Sequence, residues 1–98
     1  MQTVLHKKMA QIKDKLEFLQ QVYSVKTIAF FGSIVRNDFN QESDIDIMVE
    51  FSEPISFFKF IELERHLSSV LGVKVDLVTK NGIKPTVKSS ILNEAVYV

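Results

Sequence analysis

The stretch FFGSIVRNDFNQESDIDIMVEF, Phe30 to Phe51, contains an apolar run carrying two acids one residue apart, Asp44 and Asp46. Side chains alternate across a β-strand, so Asp44 and Asp46 share one face. Ile45, Ile47 and Val49 share the other face and point into a core. The acids therefore do not contradict a strand from Asp44 to Phe51. Upstream, Lys26 to Phe31 is short, β-branched and aromatic and stops at Gly32, which predicts another strand. A short helix is expected from Ser33 to about Asp38, with a polar turn over Asn37 to Glu42.

Working outward, Leu5, Met9, Ile12, Leu16, Leu19 and Tyr23 recur at helical spacing and predict one amphipathic helix from Thr3 to Val22. Pro54 marks the start of a second long helix and Gly72 its stop. Phe57, Phe60, Ile61, Leu67 and Leu71 fit one face of it. Val73 to Thr79 reads as a third strand, Asn81-Gly82 as a turn, and Pro85 as the opening of a last helix to about Ala95. The segment between the second and third strands holds a whole helix, the length of a crossover between parallel neighbours. The expected fold class is α/β (α+β), a small mixed sheet of three strands or slightly more with helices packed on it.

The 98 residues suffice for one domain, 1–98, and 46% hydrophobic content permits one modest core. Twelve basic and twelve acidic side chains cancel, so there is no electrostatic footprint for direct nucleic-acid binding and little pull toward an anionic membrane. With no cysteine, disulfides and thiolate metal sites are excluded. Met1 to Ala10 lacks the apolar core of a signal peptide, and no apolar run approaches membrane-spanning length. A cytoplasmic protein is expected.

In the third strand Lys74, Asp76 and Val78 share a face. If strands two and three are parallel neighbours, Asp76 lies beside Asp44 and Asp46. Like charges at ~4 Å cost on the order of a few kcal/mol per pair at a surface-like dielectric. Either the carboxyl pKa values rise or a cation neutralises the group. Oxygen-only ligands favour Mg²⁺ or Mn²⁺, and Mg²⁺ completes its shell with water and substrate phosphates. The three acids are thus candidate ligands for one or two ions in phosphoryl transfer. A D-x-D pair on its own is as often a solvated strand face, and an isolated Asp76 is more often a surface residue.

Gly32 lets the backbone approach a ligand closely, and Ser33 can cap the following helix or donate its hydroxyl to a phosphate oxygen. Arg36 can balance phosphate charge. Each of these alone is ordinary for a strand-to-helix turn. The combination is more specific: a phosphate cradle precedes the acidic pair by eleven residues, and a third acid follows on a neighbouring strand.

Gly32-Ser33, Arg36, Ser43-Asp44-Ile45-Asp46, Val75-Asp76-Leu77-Val78 and the ending Lys84-Pro85, Ile91, Glu94-Ala95-Val96-Tyr97 resemble the minimal nucleotidyltransferases (MNT) of the DNA polymerase β-like superfamily. The resemblance covers nearly the whole chain. It implies that Asp44, Asp46 and Asp76 carry Mg²⁺ and catalysis, while Gly32, Ser33, Arg36 and Ser43 bind the nucleotide, ATP. It further implies an antitoxin paired with a HEPN-domain toxin, transferring AMP to a tyrosine of that partner, in a hetero-complex or homo-oligomer. Family members often have glycine after the arginine, where this chain has Asn37; asparagine tolerates left-handed backbone. Two rivals are a nucleotidyltransferase acting on a small molecule and a non-enzymatic antitoxin that acts by contact. The lack of an acceptor-binding domain opposes the first. The mutually repelling acids oppose the second.

His6 and His66 are read as solvent-facing and non-catalytic, Lys7-Lys8 as a solvated helix face, and Lys80 as a surface lysine. Phe57 and Phe60 read as core, whereas Phe58 falls off the stripe and marks a candidate partner surface. Tyr97 fits either packing against the sheet or exposure.

Overall fold

Ile45 to Phe51 forms the strand that the alternation requires, and every other element is placed by it. The computed structural model describes residues 3–98. Its strands are β1 (Val25–Phe31), β2 (Ile45–Phe51), β3 (Val75–Thr79) and β4 (Val96–Tyr97), in the sheet order β3-β2-β1-β4. β2 and β3 are parallel, as the intervening helix demands, and β1 is antiparallel to both β2 and β4. The helices are α1 (Val4–Lys13), α2 (Leu16–Tyr23), α3 (Ser33–Arg36), α4 (Phe57–Leu71) and α5 (Pro85–Glu94), with a 3-10 turn at Lys80–Gly82.

The two faces of the sheet have separate apolar clusters. Ile45, Ile47 and Val49 pack with Ile12 of α1, Leu19 of α2 and Leu63, Leu67 and Leu71 of α4, all buried. On the opposite face, Ala29 and Met48 pack under Ile83, Ile91, Leu92 and Ala95, so α5 covers part of the acid-bearing side. That cover stops short of the Asp46 end of β2, where α5 finishes at Glu94.

Several expectations are corrected. The long first helix is two. Lys15 sits at φ −105°, ψ 3°, and its N–H bonds the Ile12 carbonyl at 2.9 Å, a tight i to i−3 turn that separates α1 from α2. The second long helix starts after Ser56, whose hydroxyl oxygen accepts the Lys59 N–H at 3.1 Å, rather than at Pro54. Its buried stripe is Leu63, Leu67 and Leu71 with Phe60 partly buried, while Phe57 is 73% exposed and belongs to no core. The last helix, by contrast, ends at Glu94 with Ala95 as its C-cap, as expected, and Val96–Tyr97 makes the sheet four strands, within the expected three or slightly more. Lys8 is not merely solvated: its ammonium donates to the Leu71 carbonyl at 2.7 Å, at the C-terminal end of α4 where a cation is favoured. No helix among the described residues is long and apolar enough to cross a membrane.

Candidate active site

Parallel pairing of β2 and β3 sets Asp46 directly beside Asp76 in register. Asp44 falls one residue ahead of β2; Ile45 holds that point by donating its N–H to the Lys74 carbonyl at 2.9 Å. Asp44 and Asp76 are exposed and Asp46 is half-buried. The Lys74 ammonium stands 3.8 Å from Asp44 Oδ2, an exposed pair of little energetic weight.

The glycine-serine turn closes over the same spot. Phe31 pairs with Asp46 across β1 and β2, so the chain leaves β1 beside that carboxylate. Gly32 then adopts φ 80°, ψ −152°, and a Cβ there would overlap Asp46 Oδ2. Glycine is required twice over, by its positive φ and by the carboxylate against it. Ser33 opens α3, and the first bond of that turn runs from the Val35 N–H to the Gly32 carbonyl at 3.0 Å. The N–H groups of Ser33 and Ile34 precede it and have no acceptor inside the helix. Asn37 ends α3 at φ 66°, ψ 27°, the left-handed geometry that asparagine tolerates where a glycine is common. Ser43 braces the following loop by accepting the Asn40 N–H at 3.1 Å, which leaves its own O–H proton available.

Glu94, given no role by the sequence reading, lies in the middle of this arrangement. Its Oε1 accepts the Gly32 N–H at 2.9 Å, and both its oxygens lie 3.2 Å from Arg36 Nη1. Arg36 is thereby engaged and does not stand free, with Asp38 Oδ2 a further 3.8 Å from its Nε. The signal for Glu94 is the β1–β4 register. Phe30 pairs with Val96, and two further residues along each strand bring Gly32 opposite Glu94.

Burial first, then the charges of Asp76 and Asp44, push the Asp46 carboxyl above its ordinary pKa; Arg36 pulls it down and Glu94 adds a smaller upward push. Repulsion from the other two acids is thus felt at Asp46. Among the described residues no three such side chains are already drawn together as a metal cage. The donor set nonetheless fits a hard cation. All three groups are oxygen donors, and Mg²⁺ needs only one or two carboxylates when water and phosphates complete its shell. Asp44, Asp46 and Asp76 are the residues that would hold it, Asp46 being adjacent to Asp76 in register.

Other residues lie elsewhere. Lys80 follows the far end of β3 and pairs with Glu50 at 3.7 Å, both partly buried. Glu50, whose carboxylate also accepts the Thr27 hydroxyl at 2.8 Å, is held below its ordinary pKa first by that hydrogen bond. His6 is exposed, but His66 is half-buried between α2 and α4, its ring 5.1 Å from that of Phe18. Tyr97 is 45% exposed on β4.

The sequence pattern of the nucleotidyltransferase domain matches residues 9–98. The chain belongs to the nucleotidyltransferase domain family. A Methanocaldococcus jannaschii protein provisionally named a protein adenylyltransferase is 50% identical over 97 residues, spanning 94% of this chain and 99% of its own. Protein adenylyltransferase MntA of Thermococcus cleftensis is 45% identical over 80 residues, 82% of this chain and 81% of that one. A solved structure provisionally identified as a minimal nucleotidyltransferase superposes with TM-score 0.78 at 25% identity, covering 97% of this chain and 95% of the other. The fold also matches, at TM-score 0.65 and 21% identity over 92% of this chain and 70% of the other, a solved complex of tri-AMPylated Shewanella oneidensis HEPN toxin with MNT antitoxin. As a nucleotidyltransferase, the chain is an enzyme of the kind that moves AMP, and the acidic constellation lies on the sheet of that fold.

Proposed function

We propose that this nucleotidyltransferase is a Mg²⁺-dependent protein adenylyltransferase, an antitoxin that moves AMP from ATP to a tyrosine of a HEPN toxin in the cytoplasm. The observation that carries the reading is the contact of two parts distant in sequence: the Gly32 turn rests on Asp46, and Asp46 lies in register with Asp76. A triphosphate on the turn would place its α-phosphorus near those acids. The names of the relatives support AMP transfer to protein. The tri-AMPylated toxin in the fold-matched complex supports a HEPN acceptor.

In this reading residues 1–98 act as one domain, and Ser33 holds phosphate oxygens through its hydroxyl and N–H. Arg36 offers the donors that Glu94 leaves free, and Ser43 offers its hydroxyl proton. The acceptor hydroxyl attacks the α-phosphorus in line, the α–β bridging P–O bond breaks, and pyrophosphate leaves. Asp76, exposed at the sheet's rim, takes the hydroxyl proton. Bound Mg²⁺, as one or two ions, would lower the acceptor pKa and neutralise the triphosphate. Nothing in the charge balance concentrates a polyanionic acceptor, so a protein hydroxyl is favoured over RNA. The test incubates the protein, Mg²⁺ and ATP with the product of the adjacent gene and weighs that product by intact mass spectrometry. AMP increments that vanish with Asp44→Asn are expected. An unmodified but fully inhibited partner would instead mean inhibition by contact.

A further inference from the structure

Glu94 sits where an anion should be costly. Asp44, Asp46 and Asp76 already crowd the site, and the Glu94 charge pushes the Asp46 carboxyl in the same upward direction. An acid retained there needs compensation, and the contacts supply it. One carboxylate binds the Gly32 N–H at 2.9 Å and Arg36 Nη1 at 3.2 Å, while its side chain is 24% exposed. These contacts join three segments: the end of α5, the turn after β1 and the last residue of α3. Hydrogen bonds to a carboxylate are about twice as strong as neutral ones, so the link is stiff.

We propose that Glu94 is the positioning residue of the nucleotide-binding turn, setting Gly32 and Arg36 in the geometry that receives a triphosphate. The proposal rests on the nucleotidyltransferase reading of this site. Glu94 engages one terminal nitrogen of the guanidinium and leaves Nη2, so Arg36 can reach a phosphate while it is held. It takes the N–H of Gly32, the residue whose Cα side faces Asp46, and leaves those of Ser33 and Ile34. The division of donors is therefore complementary: Glu94 grips the turn from the α5 side and the nucleotide would take the outward amides. Without Glu94, Arg36 would lose its fixed rotamer, and ordering it would be charged to nucleotide binding. The opposite role is a placeholder that occupies the phosphate's own contacts and must be expelled. It predicts the reverse response to mutation.

The test measures the Kd of a non-hydrolysable ATP analogue with Mg²⁺ for the parent protein, Glu94→Ala and Glu94→Gln, alongside melting temperature without nucleotide. Glu94→Ala is expected to weaken binding about tenfold, the value of one charge-assisted hydrogen bond. Glu94→Gln keeps an oxygen for both donors and should recover part of the loss. In an Arg36→Ala background the effect of Glu94→Ala should shrink, because much of it acts through that side chain. Tighter binding by Glu94→Ala would overturn the proposal in favour of the placeholder. An unchanged Kd with a lower melting temperature would reduce Glu94 to a structural tie. Both results leave the nucleotidyltransferase reading standing, since the parent still binds. A parent that binds no nucleotide would remove that reading and this inference with it.

Discussion

Asp46 is the residue on which the site's electrostatics converge. Its pKa is raised by burial and then by Asp76 and Asp44, so the folded chain binds more protons than the unfolded chain in the interval just above the ordinary carboxylate range. Stability is full below the unfolded pKa and falls as pH rises through the folded one. Asp46→Asn should therefore raise the melting temperature of the metal-free protein at neutral pH and flatten that slope, while abolishing AMP transfer. A mutant that melts lower and still transfers AMP would contradict the assignment. Gly32 gives a complementary test. A side chain at φ 80°, ψ −152° carries strain of about 1–3 kcal/mol, and its Cβ must also displace the Asp46 carboxylate. Gly32→Ala should lower the melting point modestly and AMP transfer far more. Equal losses in both would mean that the turn serves only the fold.

At the scale of elements, the informative contact lies away from the site, on the outer edge of β3. That strand ends the sheet, and its outward N–H groups would otherwise be a template for another chain. Helix α4 blocks them. Glu64 Oε2 accepts the Leu77 N–H at 2.9 Å, and the Ser68 hydroxyl accepts the Val75 N–H at 3.0 Å while donating to the Glu64 carbonyl at 3.0 Å. Glu64→Ala should cost about 1–3 kcal/mol in denaturant unfolding, because it strands a partly buried donor. Leu77 amide exchange should accelerate; unchanged exchange would show that water already serves that group. The same scale explains what could be read in advance. β2 was legible because one face is uniformly apolar and the acids fall in the opposite phase. The break between α1 and α2 was not, because Ile12, Leu16 and Leu19 stay in phase across it and Lys15 is no helix breaker by type. β4 is two residues, too short for alternation to register. Glu94 was hidden behind it, since only the β1–β4 register brings it opposite Gly32. Phe57 departs from its expected core place because neighbouring aromatics mimic a stripe in the sequence; the stripe begins at Phe60, and the Phe57 and Phe58 rings pair with each other at 6.3 Å in solvent.

For the whole molecule, zero net charge conceals a strongly uneven distribution. Asp44, Asp46, Asp76 and Glu94 gather at one end of the sheet, and of the cations beside them Arg36 is already paired with Glu94 and Lys74 with Asp44. A triphosphate approaching alone meets repulsion from the acids and a guanidinium partly neutralised in advance. A divalent ion reverses that sign, because it is attracted by carboxylates and phosphates together. ATP should therefore stabilise the protein only when Mg²⁺ is present. At about 100 times its Kd the nucleotide should add about 2.7 kcal/mol of stability, on the order of 10–20 °C in melting temperature for a chain of this length. Excess chelator should reduce the rise to a small fraction. Ser33→Ala should diminish it without lowering the melting point of the free protein, since no fold-supporting hydrogen bond depends on that hydroxyl among the described residues. The measurement is a melting series with ATP, Mg²⁺, both, and ATP with chelator. A rise in chelator as large as with Mg²⁺ would mean that ATP binds away from the acids, and the metal-bridged site would have to be abandoned.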